Sequence, residues 1–393
     1  MARIVHINTV ADTYTGVGSV IAALVSEQRL HGIGTSVAAG YARPGHGTFA
    51  DYVMAGRTRH ALAALEARIR ANDGRVCRKA TRRLTAWLDS LGDVAALHLH
   101  NLHGYYIDTP TLMAWAWKHK IRVVVSLHDQ WWCTGRCAYI QEGCGDDCLY
   151  CRHRHAYPAT WLPHGGGTAS VRVRRRDFAK IMAATVARFA APSQAIADVA
   201  RERLGIPVTV IPNGIDTSIF NNSAAPGGDR HTGSRHEVRV AAVSATWTPA
   251  KGGDILRAVS QALPQGWHLT VVGDGAPVAS SAQVSVTEAM APQTLARLYR
   301  ASDVLLNTAT SEAFGMTVAE ALACGTPVVT NAAAATSELV LGGINGYAVS
   351  MDASDPGAVI DAVRRAAAIK PPPIPDILTA PAMADAYAGL YFD

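Results

Sequence analysis

The stretch from Asp303 to Thr330 constrains the fold most, because it predicts a strand, a polar loop, a helix and a second strand in succession. DVLLN is a short apolar run that ends in turn formers, and MTVAEALAC carries apolar residues at helical spacing. The loop between them delivers Phe314 and Gly315 to the start of the helix. Unpaired amides and the positive end of the helix dipole favour an anion there, so the stretch predicts a site for a group such as a diphosphate.

Two carboxylates flank this predicted anion site. Glu312 lies in the loop, and Glu320 lies one or two turns into the helix. Both are placed to hydrogen-bond hydroxyl groups of a ligand whose phosphate is held between them. The alternative is an alanine-rich amphipathic helix with two solvated glutamates, and the loop-and-helix setting favours the binding site.

The segment from Ser311 to Val329, SEAFGMTVAEALACGTPVV, resembles the donor-site motif of retaining GT-B glycosyltransferases of family 4. The resemblance implies that Glu312 contacts hydroxyls of the donor sugar and that Glu320 contacts the ribose. It also implies that the diphosphate is bound by the backbone amides of Phe314, Gly315, Met316 and Thr317.

The length and composition suit two globular domains, since the chain has 393 residues and 49% of them are apolar. The start, MARIVHINTV, shows neither a basic region followed by a long apolar run nor another sign of a secretory signal. No apolar run is long enough to span a bilayer. We therefore expect a cytoplasmic protein whose cysteines do not form disulfides.

A glycine-containing loop near the start of the chain predicts a second phosphate-binding element. A strand from Arg3 to Asn8, a turn-rich loop and a helix from Val17 to Leu30 have the layout of an α/β phosphate-binding unit. The dinucleotide fingerprint is not met, because Ile21 stands at its third glycine position. The family resemblance implies that Gly16 and Gly18 approach the donor diphosphate.

Further strands are predicted over residues 35–39, 95–100 and 122–127, alternating with helical stretches, which indicates a parallel sheet. The resemblance implies an α/β fold of the GT-B type, with two Rossmann-like domains facing across a cleft. We expect an acceptor-side domain over residues 1–205 with a Cys-rich insertion at 133–158, and a donor-binding domain over 206–375. A final helix within 376–393 is expected to cross back to the first domain.

Histidines follow two of the predicted strands. Alternation along a strand puts His98 and His100 on one face, but no carboxylate-rich partner set for a metal accompanies them. His128 directly follows an apolar strand and precedes Asp129, where an imidazole can exchange hydrogen bonds with a sugar hydroxyl. The sequences HLHNLHGYYI and LHDQWWCTGRCAY resemble family 4 enzymes of colanic-acid and capsule assembly, and that resemblance places His128 near the sugar ring of the donor. A structural histidine is the alternative.

A cluster of cysteines predicts a structural zinc site. Cys137, Cys144, Cys148 and Cys151 lie within fifteen residues, and this density in a reducing compartment favours Zn²⁺ over disulfides. Ligation by four thiolates leaves no open coordination position, so the metal would brace a loop. A redox-active or merely reduced cluster is the alternative.

Residues 57–89 are predicted to be helical and are rich in arginine. The basic face fits peripheral contact with anionic lipid at the inner face of the membrane, or with a polyanionic acceptor, and it equally fits a solvated arginine-rich surface. The apolar residues Leu62, Leu65 and Ile69 are expected to pack on the sheet.

The combined prediction is an enzyme that transfers a sugar from a nucleoside diphosphate sugar, with a UDP-sugar favoured, to an acceptor hydroxyl with retention of configuration. Lys251, before two glycines, is placed to reach the diphosphate. No catalytic metal is expected, since no suitably placed D-x-D motif stands out. The acceptor is expected in exopolysaccharide or other glycoconjugate assembly and to be a saccharide or a lipid-linked molecule. The alternatives are a soluble natural-product acceptor, a GT-B nucleotide-sugar epimerase, and a zinc-bearing nucleic-acid-binding protein, although no nucleic acid is expected as partner.

Overall fold

The computed structural model describes residues 2–45, 47–70, 72–134, 136–140, 144, 153, 156–161, 187–223 and 237–392. The chain divides into two compact units. The first consists of Met1–Asp12, Val17–Ile211 and Ala384–Asp393, and the second consists of Thr13–Gly16 and Pro212–Met383.

The first unit is built on a parallel sheet of seven strands. Their bounds are β1 Arg3–Asn8, β2 Gly34–Ala39, β3 Tyr52–Val53, β4 Val94–Leu99, β5 Arg122–Ser126, β6 Ala187–Ala191 and β7 Thr209–Val210. The order across the sheet is β3-β2-β1-β4-β5-β6-β7. Both faces of the central strands are buried, which explains near-continuous apolar runs such as RVVVS in β5.

The second unit repeats this plan with six parallel strands. Their bounds are β8 Arg239–Thr246, β9 His268–Asp274, β10 Val284–Thr287, β11 Val304–Asn307, β12 Val328–Asn331 and β13 Gly346–Val349. The order is β10-β9-β8-β11-β12-β13. The strand order of each sheet therefore reverses once, between β1 and β4 in the first unit and between β8 and β11 in the second. Ligands of such sheets bind at the carboxyl ends of the strands at this switch point.

Helices flank the two sheets. In the first unit and at its border they are α1 Gly16–Leu30, α2 Arg57–Arg70, α3 Arg78–Leu91, α4 Thr109–Lys118, α5 Trp131–Thr134 and α6 Gln194–Leu204. Those that follow are α7 Gly253–Gln261, α8 Pro292–Ala301, α9 Met316–Ala323, α10 Pro356–Ala366 and α11 Ala380–Phe392. Short 3-10 helices occupy Pro249–Lys251, Ala335–Leu339 and Asp376–Leu378.

The prediction of an α/β fold with parallel sheets is confirmed, and the four predicted strands of the first sheet agree with β1, β2, β4 and β5 to within one residue at each end. The boundary between the two units falls between Ile211 and Pro212. The last part of α11, from Ala384, belongs to the first unit, where Tyr387 and Tyr391 are buried.

The expected packing of Leu62, Leu65 and Ile69 on the sheet is wrong, although residues 57–89 are largely helical as predicted. This stretch forms two helices, α2 and α3, and α2 buries only the small side chains Ala63 and Ala67. Leu62, Leu65 and Ile69 are instead 62%, 42% and 49% exposed. The alanine face allows close approach to the unit, so the larger apolar side chains lie on the outward side.

Within the part of the chain that the structure describes, none of the helices combines the length and the apolar character needed to cross a membrane.

Candidate active site

The switch point of the second unit brings together two loops that are distant in sequence. β8 and β11 are neighbours in the sheet, and the loop after each strand carries one predicted site residue, Lys251 or Glu312. The loops are joined by hydrogen bonds from Thr310 N to Ala250 O (3.0 Å) and from Thr308 Oγ1 to Lys251 O (2.8 Å).

A glycine allows this close approach. Gly252 has a φ of 67°, and a Cβ built on it would lie 1.9 Å from the carbonyl oxygen of Thr308. Any side chain at this position would therefore push the two loops apart.

Lys251 and Glu312 form an ion pair between Nζ and Oε2. Their side chains retain 26% and 17% of their exposure, so both groups are accessible from the surface of the unit. A partly buried cation and carboxylate at a strand end can bind a phosphate and a hydroxyl, respectively. The sequence located each residue but did not predict that they pair.

The helix start beside this ion pair has a conformation that only glycine readily adopts. Gly315 precedes α9 with a φ of 95°, and a Cβ built on it would lie 2.3 Å from Thr336 Cγ2. The first helical hydrogen bonds run from Val318 N and Ala319 N to Gly315 O. The amides of Met316 and Thr317 thus belong to the first turn, which a helix leaves without internal acceptors. Both side chains are partly exposed, whereas Phe314 is buried and holds the loop on the apolar core.

Glu320 lies inside α9 and is buried. Its Oε2 accepts a hydrogen bond of 3.1 Å from the hydroxyl of Tyr299. Burial raises the pKa of Glu320 to about 8, although the hydrogen bond from Tyr299 opposes this rise. The carboxyl group is therefore protonated at neutral pH in this structure. Sequence reasoning placed Glu320 at the site but missed its partner on α8.

The two predicted glycines lie at the start of α1. Gly16 is its first residue and groups with the second unit, where a Cβ built on it would lie 3.4 Å from Met316 Cγ. Gly18 is buried in the first unit. Gly16 thus lies next to the residue that opens α9.

His128 lies at the carboxyl end of β5 and is 8% exposed. Its Nε2 is 2.9 Å from Nδ1 of His100. Burial lowers the pKa of His128 to about 4, against the opposing effect of the Asp129 charge. His128 is therefore a neutral imidazole at physiological pH.

A second imidazole close to this strand end was missed by sequence reasoning. His103 Nε2 lies 2.5 Å from Oδ2 of Asp129, and both side chains are buried. Burial opposes protonation of His103, but the charge of Asp129 and the hydrogen bond to it prevail, so the pKa of His103 is raised. Its position directly before Gly104, in a glycine-containing turn after β4, is a loop signal that could have drawn attention to it.

The structure describes two of the four predicted zinc ligands. Cys137 is buried and Cys144 is partly exposed, while Cys148 and Cys151 lie outside the described residues.

The fold matches that of solved glycosyltransferases. Anabaena HepE in complex with UDP-glucose is 15% identical in sequence, with a TM-score of 0.60 over 100% of this chain and 97% of that chain. At this identity the similarity concerns the fold alone, and it defines the α/β architecture of this chain as that of the GT-B glycosyltransferases.

Two family models narrow this class. The model described as "Glycosyltransferase Family 4" matches residues 14–219, and the model "Glycosyl transferases group 1" matches residues 237–368. Since the first match alone covers more than half of the 393 residues, the chain belongs to glycosyltransferase family 4, and the resemblance read from the sequence is confirmed.

Curated relatives are similar over part of their length. The putative colanic acid biosynthesis glycosyl transferase WcaC of Escherichia coli K12 is 25% identical over 252 residues, which are 62% of this chain and 61% of that protein. The D-inositol 3-phosphate glycosyltransferase of Segniliparus rotundus is 33% identical over 140 residues, 31% of each chain. The chain thus spans about three fifths of the first relative and about a third of the second.

Proposed function

We propose that this protein transfers a sugar from a nucleoside diphosphate sugar, preferably a UDP-sugar, to an acceptor hydroxyl with retention of anomeric configuration. The observation that carries the proposal is the Lys251–Glu312 ion pair beside the start of α9, at the switch point of the second sheet. Family 4 membership supports it, and UDP-glucose bound in a protein of the same fold favours a UDP-sugar.

Negative charge grows on the diphosphate as the sugar leaves, and the groups at this site are suited to stabilise it. The amides of Met316 and Thr317 and the cation of Lys251 offer positive charge that is already in place. A diphosphate competes with Glu312 for Lys251, which frees the Glu312 carboxylate to accept hydrogen bonds from sugar hydroxyls. The departing phosphate takes the acceptor proton, and no protein nucleophile is required.

The acceptor is proposed to belong to exopolysaccharide or another glycoconjugate, because the colanic acid transferase WcaC is among the relatives. Assays with a UDP-sugar should therefore be run with and without saccharide or lipid-linked acceptors. Conversion of the donor to another nucleotide sugar without an acceptor would indicate an epimerase instead.

The Glu312→Gln variant tests the site. It keeps the shape of the side chain but removes the charge, so we expect transfer to slow by about 100-fold. The free energy of unfolding should change by less than about 1 kcal/mol, since the ion pair is partly exposed. Glu288→Gln, an exposed glutamate of the same unit, is the matched control. A wild-type transfer rate in Glu312→Gln would refute the assignment.

We further propose peripheral contact with an anionic membrane surface through α2. The helix exposes Leu62, Leu65 and Ile69 at spacings of three and four residues, and Arg57, Arg59 and Arg70 are exposed on the same helix. Helices that lie in a membrane interface combine exposed apolar side chains with basic ones in this way.

Structural zinc at Cys137, Cys144, Cys148 and Cys151 also remains a proposal. It is supported by the chemistry of four thiols in one short segment, and elemental analysis of the purified protein tests it.

A further inference from the structure

A chain of buried polar side chains runs through the first unit and ends at His128. His6, His98 and Ser126 lie on β1, β4 and β5, which are adjacent in the sheet, and His100 directly follows β4. These four residues are buried. The chain is completed by Gln28 of α1 and by two tyrosines of α11.

The histidine half of the chain has three links. His128 Nε2 lies 2.9 Å from His100 Nδ1, and His100 Nε2 lies 3.1 Å from His6 Nδ1. His6 Nε2 lies 2.9 Å from Oε1 of Gln28. Both ring nitrogens of His6 and of His100 are thus engaged.

The tyrosine half continues from the other end of the same amide. Gln28 Nε2 donates to Tyr391 Oη over 3.1 Å, and Tyr391 Oη lies 2.6 Å from His98 Nδ1. His98 Nε2 lies 2.7 Å from Ser126 Oγ, which lies 2.5 Å from Tyr387 Oη. The hydrogen-bonded path therefore extends from α11 to His128 without a gap.

The same cluster has the outline of a metal site, since ring nitrogens of His6, His98 and His100 lie within 4.8 Å of one another. Every ring nitrogen of these three histidines already has a protein partner, however. A metal would have to break several of these hydrogen bonds in a fully buried place. The geometry therefore favours a hydrogen-bonded chain over a metal centre.

The direction of the chain follows from its proton count. Burial lowers the pKa of His6 and His128 to about 4 and holds those of His98 and His100 well below their ordinary value, so each ring is neutral with one N–H. Gln28 Oε1 can only accept, so His6 carries its proton on Nε2 and accepts at Nδ1. His100 must then donate from Nε2 and accept at Nδ1, and His128 must donate from Nε2.

We propose that this chain fixes the tautomer of His128 with the proton on Nε2, so that Nδ1 is held as a hydrogen-bond acceptor for a hydroxyl group of a bound sugar. Within the described residues, Nδ1 of His128 has no hydrogen-bond partner, and the side chain keeps 8% of its exposure at the carboxyl end of β5. The inference rests on the proposed function, which supplies the sugar. It makes Gln28 and Tyr391 positioning residues for His128.

Nitrogen-15 NMR of the histidine rings in the ligand-free protein tests the tautomer directly. The signals of His6, His100 and His128 are assigned from their loss in single His→Gln variants. We expect all three rings to be neutral at pH 7 with the proton on Nε2. A proton on Nδ1 of His128, or a shift of the His6 and His98 signals on addition of Zn²⁺, would overturn the proposal.

Tyr391→Phe tests the role of the chain. The change removes the hydroxyl that accepts from Gln28 Nε2, so the two orientations of the Gln28 amide become similar in energy. Because that orientation sets the direction of the hydrogen bonds through His6 and His100, His128 should then show both tautomers. Tyr106→Phe is the matched control, because Tyr106 is a buried tyrosine of the same unit whose hydroxyl donates to Asn101 O outside the chain. A single, unchanged Nε2–H tautomer in Tyr391→Phe would refute the positioning role.

Addition of a UDP-sugar separates this inference from the proposed function. We expect the chemical shift of His128 Nδ1 to change on binding, because the shift of a ring nitrogen changes when its lone pair accepts a hydrogen bond. If the donor raises the melting temperature but leaves His128 unmoved, the contact is refuted while the donor function stands. If no nucleoside diphosphate sugar binds, the proposed function and the contact both fail, and the ligand-free spectrum alone decides the tautomer.

Discussion

The buried carboxyl group of Glu320 makes the stability of the fold depend on pH. The carboxyl group is buried in α9 and its pKa is raised to about 8 by that burial. In the unfolded chain it has an ordinary pKa of about 4.3. Between these values the folded state keeps a proton that the unfolded state has lost, so stability must fall as the pH rises through this window.

We predict that Glu320→Gln removes this pH dependence. Glutamine has the shape of the protonated acid and can still accept the hydrogen bond from Tyr299. The free energy of unfolding of wild type, relative to the variant, should fall by up to about 1.4 kcal/mol per pH unit between pH 5 and pH 8. Urea unfolding of both proteins at these two pH values measures it, and parallel behaviour of the two would contradict the raised pKa.

Sequence reasoning located the residues of the candidate site better than their contacts. Lys251 and Glu312 were each read from their loops, but their pairing depends on β8 and β11 being neighbours, which local pattern does not reveal. Glu320 was assigned to a ligand because it lies one or two turns into the helix beside the predicted anion site, and because the family resemblance implies a contact with the ribose. Six of the eight residues of α9 are buried, so the helix has little outward face and Glu320 meets Tyr299.

At the scale of elements, the strands were predictable because burial on both faces requires continuous apolar runs. The helical conformation of residues 57–70 was also predictable, but the buried face of α2 was not. Alanines at 63 and 67 form the inner face, and hydrophobicity alone pointed to Leu62, Leu65 and Ile69. A sequence pattern gives the period of a helix but not the size of the side chains that its neighbours accept.

The loop that starts α9 depends on Gly315. Gly315→Ala should lower the free energy of unfolding by about 2 kcal/mol or more, because the residue has a positive φ and the new Cβ meets Thr336 Cγ2. Adding Thr336→Ser removes that methyl group but keeps the hydroxyl bonded to Thr330, and should restore part of the loss. Gly342→Ala, where a Cβ meets nothing within 4 Å, is the control. Equal stabilities of Gly315→Ala and Gly342→Ala in chemical denaturation would contradict the clash.

The exposed face of α2 predicts binding to anionic vesicles. Replacing Leu62, Leu65 and Ile69 with serine should reduce sedimentation with phosphatidylglycerol vesicles at least about tenfold, because apolar area and arginine charge act together. The matched control replaces Leu341 and Ile344, exposed apolar residues of the second unit, with serine. Equal binding by both variants would refute the membrane contact, and loss of self-association in the first would assign this face to a second copy of the chain.

For the whole molecule, a panel of UDP-, GDP- and dTDP-sugars should identify the donor by thermal stabilisation. A ligand that binds only the folded state adds about 2.7 kcal/mol at 100 times its dissociation constant. We expect a UDP-sugar to raise the melting temperature most, and Glu312→Gln to reduce that rise. A larger effect of a GDP- or dTDP-sugar would overturn the preference for UDP while leaving the nucleotide site intact.

The first unit is discontinuous in sequence, since residues 384–392 complete it only after the whole second unit has been made. Until then, Gln28 and His98 lack the hydrogen bonds that they form with the hydroxyl of Tyr391. Synthesis on the ribosome therefore delivers every part of the second sheet before the last part of the first unit. A fragment that stops at Ile211 lacks the last segment of the first unit and should fold less stably than the unit does in the whole chain. A fragment that also carries a linked copy of residues 380–392 contains all the described segments of the first unit.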